Sequence, residues 1–173
     1  MKSAIESFAE FFASKGWTYS RDTEKPVINL GFTGENGRWQ CLAVAGPKDS
    51  HLLFMSLLPC RVAPNRRPQV AELISRINWG LPHGCFEMDF KDGEVRFRTS
   101  LILQSPEVPL EQVGDLVFSN LWAADHFFGT LMQVTYTKAT PRNALAALAD
   151  ASKPAATSSM EPPSDHKRRF ELN

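Results

Sequence analysis

The stretch 83-HGCFEMDFKDGEVRFRTSL-101 decides how this chain is read. It holds a histidine, a cysteine, four carboxylates and two arginines in nineteen residues. Such density suits either an active site or the outer side of a sheet. The spacing selects the sheet. Phe86, Met88 and Phe90 alternate with Cys85, Glu87 and Asp89, and beyond Asp92-Gly93 the residues Val95, Phe97, Thr99 and Leu101 alternate with Glu94, Arg96, Arg98 and Ser100. Period two puts each set on its own face of a strand. An Asp-Gly pair between two alternating runs is a strong hairpin signal. The apolar set then faces a core, and the acids face the arginines across the hairpin, where each such pair stabilises a sheet by roughly 0.2–1 kcal/mol.

Working outward, Val70, Leu73, Ile74 and Ile77 recur at helical spacing, Pro68 stands at a helix start, and Leu81-Pro82 ends the run. Three strands precede it. They are 27-VINLGF-32, 38-RWQCLAVA-45 and 51-HLLFMSLL-58, joined as a meander by 34-GENG-37 and 46-GPKDS-50. The third run is almost wholly apolar, which predicts a central strand covered on both faces. At the front, 3-SAIESFAEFFASKG-16 places Ile5, Phe8 and Phe12 on one helical face, with Ser3 and Glu6 as a capping box and Gly16 as a stop. At the back, Val113, Leu116, Val117, Leu121, Phe128, Leu131 and Val134 mark a long helix from about Leu110 to Thr137. Trp39, Trp79 and Trp122 fall within these elements and are expected in the core. The order is α-β-β-β-α-β-β-α. It predicts an α+β domain with an antiparallel sheet of about five strands and helices packed on it.

Residues 1–138 form that domain. From 139 to 173 the composition shifts to four prolines and eight alanines with few large apolar side chains, so this part reads as an Ala/Pro/Ser-rich flexible tail. Within it 143-NALAALAD-150 suits a short helix. The end, 166-HKRRFELN-173, offers Lys167, Arg168, Arg169 and Phe170 as a tethered docking motif. A second basic group, Arg61, Arg66 and Arg67, lies in the loop before the middle helix and could meet an acidic partner.

The totals exclude several classes. At 173 residues, 43% hydrophobic and 22% charged, the chain suits one soluble globular domain. Basic and acidic residues balance at 19 each, which gives no bulk attraction to nucleic acid or membrane. Cys41, Cys60 and Cys85 are odd in number and widely spaced, so they read as reduced thiols in a cytoplasmic protein. No run approaches the ~18 apolar residues of a membrane span, and the acid-containing start lacks a secretory apolar region. His83, Cys85, Glu87 and Asp89 lack the spacing of a metal site. The Asp89–Gly93 turn departs from a calcium loop at Lys91 and Ser100. No signature surrounds a Cys/His pair, and no phosphate-binding glycine motif or nucleophile elbow is present. The expectation is no catalytic residues, no metal and no cofactor.

The wording of the centre resembles the YbjN domain family. The residues concerned are 70-VAELISRIN-78, then Gly84 to Asp89, then Asp92-Gly93-Glu94-Val95-Arg96-Phe97-Arg98. Trp39-Gln40-Cys41 and the loop from Pro59 through Val62 to the helix fit as well. The resemblance covers about residues 3 to 137. It implies the type III secretion chaperone-like fold, a sensory-transduction or stress regulator, and no catalytic residues. Chaperones of that fold are homodimers that hold an unfolded client segment along an exposed surface. The resulting expectation is a protein-binding chaperone or adaptor acting as a homodimer. The alternative is a regulatory domain sensing a small molecule between sheet and helices.

Overall fold

A computed structural model describes residues 3–22, 24–105 and 107–152. In chain order these form α1 (Ala4–Ser14), β1 (Ser20–Arg21), β2 (Val27–Thr33), β3 (Arg38–Ala45), β4 (His51–Arg61), α2 (Arg67–Gly80), β5 (Cys85–Met88), β6 (Glu94–Ile102), α3 (Leu110–Tyr136) and α4 (Pro141–Ala151). The sheet is antiparallel throughout, in the order β1-β2-β3-β4-β6-β5. Six strands replace the expected five. The addition is β1, only two residues long and devoid of alternation, which exists because Ser20 and Arg21 pair with Asn29 and Ile28.

The hairpin at 83–101 forms in the expected register, with Phe86 opposite Phe97 and Glu87 opposite Arg96. It departs from expectation at Phe90, which is 59% exposed. The strand stops at Met88 because Asp89 turns the chain. Its carboxylate accepts the Lys91 N–H at 2.7 Å, and its carbonyl accepts the Gly93 N–H at 2.8 Å. Gly93 sits at φ 79°, and a Cβ there would run into the Val62 backbone, whose N–H bonds the Gly93 carbonyl at 2.8 Å.

Ile5, Phe8 and Phe12 of α1 are buried on one face as expected, and Gly16 ends the helix at φ 70°. The capping box does not form. Ser3 instead donates to Asp49 at 3.1 Å, and Glu6 pairs with Arg21 at 2.7 Å, so both side chains tie the helix to other elements. Trp39 is buried, but Trp79 is 94% exposed. The buried stripe of α2 is Val70, Leu73, Ile74 and Ile77, and position 79 falls off it. Trp122 is likewise turned outward, stacked on His126 with centroids 5.0 Å apart. The short helix expected near 143–150 is present as α4. Thr140 caps it through the Asn143 N–H, and it packs on α2 and α3 with Pro141 and Ala144 buried. The folded body therefore continues past residue 138.

α3 is the pillar of the fold, touching β4, β6 and the other three helices. Asn120 locks it down from a fully buried position. Its Nδ2 donates to the carbonyls of Phe54 (2.9 Å) and Phe97 (3.1 Å), and its Oδ1 accepts the Ser56 hydroxyl at 2.6 Å. Thr99 closes the network by donating to the Leu116 carbonyl at 2.9 Å. One turn further along, Asp125 accepts the N–H groups of Glu35 (3.1 Å) and Asn36 (2.9 Å), fixing the β2–β3 turn. Phe8 and Phe12 of α1 meet the same Phe54 from beside α3. Among the described residues α1, α2 and α3 therefore pack on the side of the sheet that carries Phe54 and Phe97, and α4 packs on α2 and α3. Asn120→Ala should cost about 3 kcal/mol in urea unfolding, since it strands several buried polar groups, whereas Ser56→Ala should cost only ~1 kcal/mol.

Candidate protein-binding surface

The side chains that alternate with the core point away from all four helices. Register fixes their neighbours. Val27, Val44, Leu53 and Ser100 lie side by side across β2, β3, β4 and β6. The next row is Asn29, Leu42, Met55, Arg98 and Cys85, and the third is Gly31, Gln40, Leu57, Arg96 and Glu87. The middle of this outer face is thus apolar, made by Val27, Leu42, Val44, Leu53, Met55 and Leu57. The apolar run 51–58 predicts cover on both faces of β4. The structure supplies cover on one. The residues of this patch were visible in the sequence as the second apolar parity of that run, but read as interior.

One flank of the patch is charged. Arg96 donates to Glu87 at 2.7 Å and Arg98 donates to its other oxygen at 2.8 Å, as the alternation implies. Partial burial pushes the Glu87 carboxyl up, but the hydrogen bonds and charges of Arg98 and Arg96 outweigh it and hold the group below the usual carboxylate range. The edge beside it is closed. Asn78 of α2 donates to the Phe86 carbonyl at 3.0 Å and accepts the Phe86 N–H at 2.9 Å, occupying the outward pair of β5.

The basic loop does not form one patch. Arg66 donates to the carbonyls of Val134 and Ala139 (3.0 Å), clamping the end of α3. Arg67 donates to the carbonyls of Val62 (3.1 Å) and Phe90, joining α2 to the hairpin turn. Arg61 stands exposed at the end of β4, paired with half-buried Glu94 at 2.9 Å and exposed Asp92 at 3.7 Å. Lys167, Arg168, Arg169 and Phe170 lie outside the described residues.

Among the described residues no three of His, Cys, Asp and Glu gather as a metal site requires. Asp89, in the turn, no longer shares the strand face of Cys85 and Glu87. Burial pushes the Cys41 thiol up to about 12 and the Cys60 thiol up to about 11, the opposite of what a nucleophile needs. No helix of the described residues is long and apolar enough to cross a membrane.

The Glu87 cluster makes a pH prediction. Because the folded carboxyl sits below its ordinary value, its stabilisation is present at neutral pH and is lost as pH falls through the folded value. Glu87→Gln should lower stability by roughly 0.5–1 kcal/mol at pH 7, in keeping with a half-exposed pair. In denaturant titrations that difference should shrink to nothing as pH falls below the ordinary carboxylate value of 4.5.

Residues 4–132 match the YbjN family model, described as "Putative bacterial sensory transduction regulator". No curated protein sequence matches the chain. Among solved structures, the crystal structure of YbjN, "a putative transcription regulator from E. coli", is similar at 15% identity and a TM-score of 0.53, over 70% of this chain and 85% of that one. The ExsC–ExsE complex contains a chain similar at 16% identity and a TM-score of 0.52, over 76% of this chain and 97% of that one. The α+β arrangement is the expected type III secretion chaperone-like fold. With its family match spanning α1 through most of α3, the chain belongs to the YbjN family.

Proposed function

We propose that this chain is a non-enzymatic, cytoplasmic protein-binding domain with a chaperone-like or adaptor role in regulation. It holds a segment of another protein against the outer face of its sheet. One observation carries the reading. Among the described residues the helices that touch the six-stranded sheet pack on one side, yet the other side is apolar at its centre. Such a patch, rimmed by polar residues, is a mark of a protein contact. The rim is Asn29, Gln40 and Ser100, with the Glu87–Arg96–Arg98 cluster beyond. The family description as a regulator and the likeness to a chain solved in complex with another protein agree with this reading.

The domain works as a homodimer, an expectation carried over from the family resemblance. Sedimentation of the purified chain tests it, through a mass of two copies rather than one. Arg61 adds an acidic contact at one corner, since its ion pairs are exposed and exchangeable with a partner's carboxylate. The segment Lys167-Arg168-Arg169-Phe170 adds a second contact on its tether and raises avidity through effective concentration.

Affinity purification from the native cell with a tagged chain tests the proposal. Leu53→Glu and Leu57→Glu should each reduce recovery of the bound protein about tenfold or more, because each puts an unpaired charge where an apolar contact forms. Their melting temperatures should stay close to that of the unaltered chain, because both residues are already partly exposed. Removing residues 153–173 should weaken capture without abolishing it. Recovery that is indifferent to both leucine substitutions would sink the assignment.

A further inference from the structure

The β5 side of β6 is covered along only part of its length. Asn78 takes the outward N–H and carbonyl of Phe86, so in β5 it is Cys85 and Glu87 that bond toward β6. The alternation then assigns the backbone groups of Arg96, Arg98, Ser100 and Ile102 to the β5 side of β6. Those of Phe97, Thr99 and Leu101 turn toward β4. The bond from the Leu103 N–H to the Ser50 carbonyl at 3.0 Å continues that phase. But β5 begins at Cys85, opposite Arg98. Gly84, at φ 74°, turns the chain away there, and a Cβ at this position would meet the Arg98 carbonyl at 2.7 Å. Among the described residues, Ser100 and Ile102 therefore have no strand beside them and no bonded partner on that side. Ile102 is 79% exposed.

A groove of ≈ 550 Å³ lies along this open edge. Ser100 and Leu101 form one wall, Gln112, Asp115 and Ser119 of α3 form the other, and Leu116 and Phe118 supply apolar surface. Asp115 carries no ion pair among the described residues.

We propose that this groove is a strand-addition site, which takes an extended segment of another protein in line with β5 and antiparallel to β6. The proposal rests on the protein-binding reading and places its contact on the open edge of β6, which adjoins the outer face at Ser100. The chemistry of the occupant follows from the walls. Its backbone bonds the N–H and carbonyl of Ser100 and Ile102. The residue opposite Leu101 points into the groove and is apolar. A residue two positions away points the same way and is Lys or Arg, meeting Asp115. The residue opposite Ile102 lies on the outer face and is apolar. A second copy of this chain fits poorly, because symmetric pairing of β6 with itself would drive each copy's β5 into the partner strand after about three residues.

The test uses the full chain and a phage-displayed library of random nonapeptides, followed by anisotropy on the selected peptide. Selection should yield peptides alternating in apolar residues with one basic residue two positions from an apolar one. Ser100→Pro removes an N–H that faces the open side and leaves the β4 ladder intact, as a proline on an edge can. It should weaken the peptide about tenfold, the equivalent of losing a hydrogen bond or two. In the unaltered chain, hydrogen exchange at the Ser100 and Ile102 amides should slow when the peptide binds. If Ser100→Pro does not fold, that exchange measurement and Asp115→Lys, which should abolish the basic preference, decide the matter. The proposal is overturned if no peptide is enriched, or if peptides bind without slowing those two amides. It is overturned too if binding requires removal of residues 153–173, which would make the tail the occupant, or if Ser100→Pro converts a dimer to a monomer. Leu53→Glu separates the two readings. Its effect on recovery of the native partner reports on the outer face, whereas the peptide assay with Ser100→Pro and Asp115→Lys reports on the groove, so a failed groove with a Leu53-dependent partner removes the groove alone.

Discussion

Everything in this fold hangs on Asn120. A carboxamide buried in mid-helix must find partners for its donors and its acceptor, and only one seating of α3 on the sheet provides them. The carbonyls of Phe54 and Phe97 and the hydroxyl of Ser56 meet it across two neighbouring strands. Satisfied networks of this kind fix a unique packing where apolar contacts alone would tolerate sliding. With α3 seated, its other functions fall into place. Asp125 reaches the β2–β3 turn, the backbone at Val134 accepts Arg66, and α1, α2 and α4 lean on its flanks. Because that pillar stands on the Phe54 side, the helical cover among the described residues goes to that side.

The consequence is a sheet with two unlike faces. One is sealed by phenylalanines from α1, β2, β4, β5 and β6. The other pairs an apolar centre with a charged flank in which Glu87 bridges Arg96 and Arg98, leaving one positive charge in excess. The excess positive charge on that flank favours a segment that carries an acid beside its apolar residues. This suits the proposed role of receiving a segment of another protein, and burial takes the Cys41 and Cys60 thiols away from the reactive thiolate form. It also gives the charge-dense hairpin its role. The hairpin borders the apolar outer face and ends at the point where the open part of β6 begins.

Most of the fold was legible because its signals are periodic and local. The alternation on either side of Asp92-Gly93, the stripe from Val70 to Ile77 and the meander turns each carry their own geometry. What was not legible depends on distant partners. Nothing in Ser20-Arg21 announces a strand until Asn29 lies beside it. Arg66 and Arg67 read as a basic patch, and only the folded chain brings the carbonyls of Val134 and Phe90 to them. Asn120 carries no local signal of its role, which depends on carbonyls that only the folded sheet presents. The surface patch was half visible. The run 51-HLLFMSLL-58 declares two apolar faces but cannot say whether the second is covered by this chain or by another.

That last question is the centre of the account, and crosslinking answers it most directly. A photoreactive phenylalanine analogue replaces Leu53 on the outer face or, as a control, the exposed Trp79 on the helical side, in the cell that makes the protein. The account predicts a covalent adduct with another polypeptide at position 53 and none at position 79. An adduct at 79 with none at 53 would contradict it, and would move the binding surface to the helices.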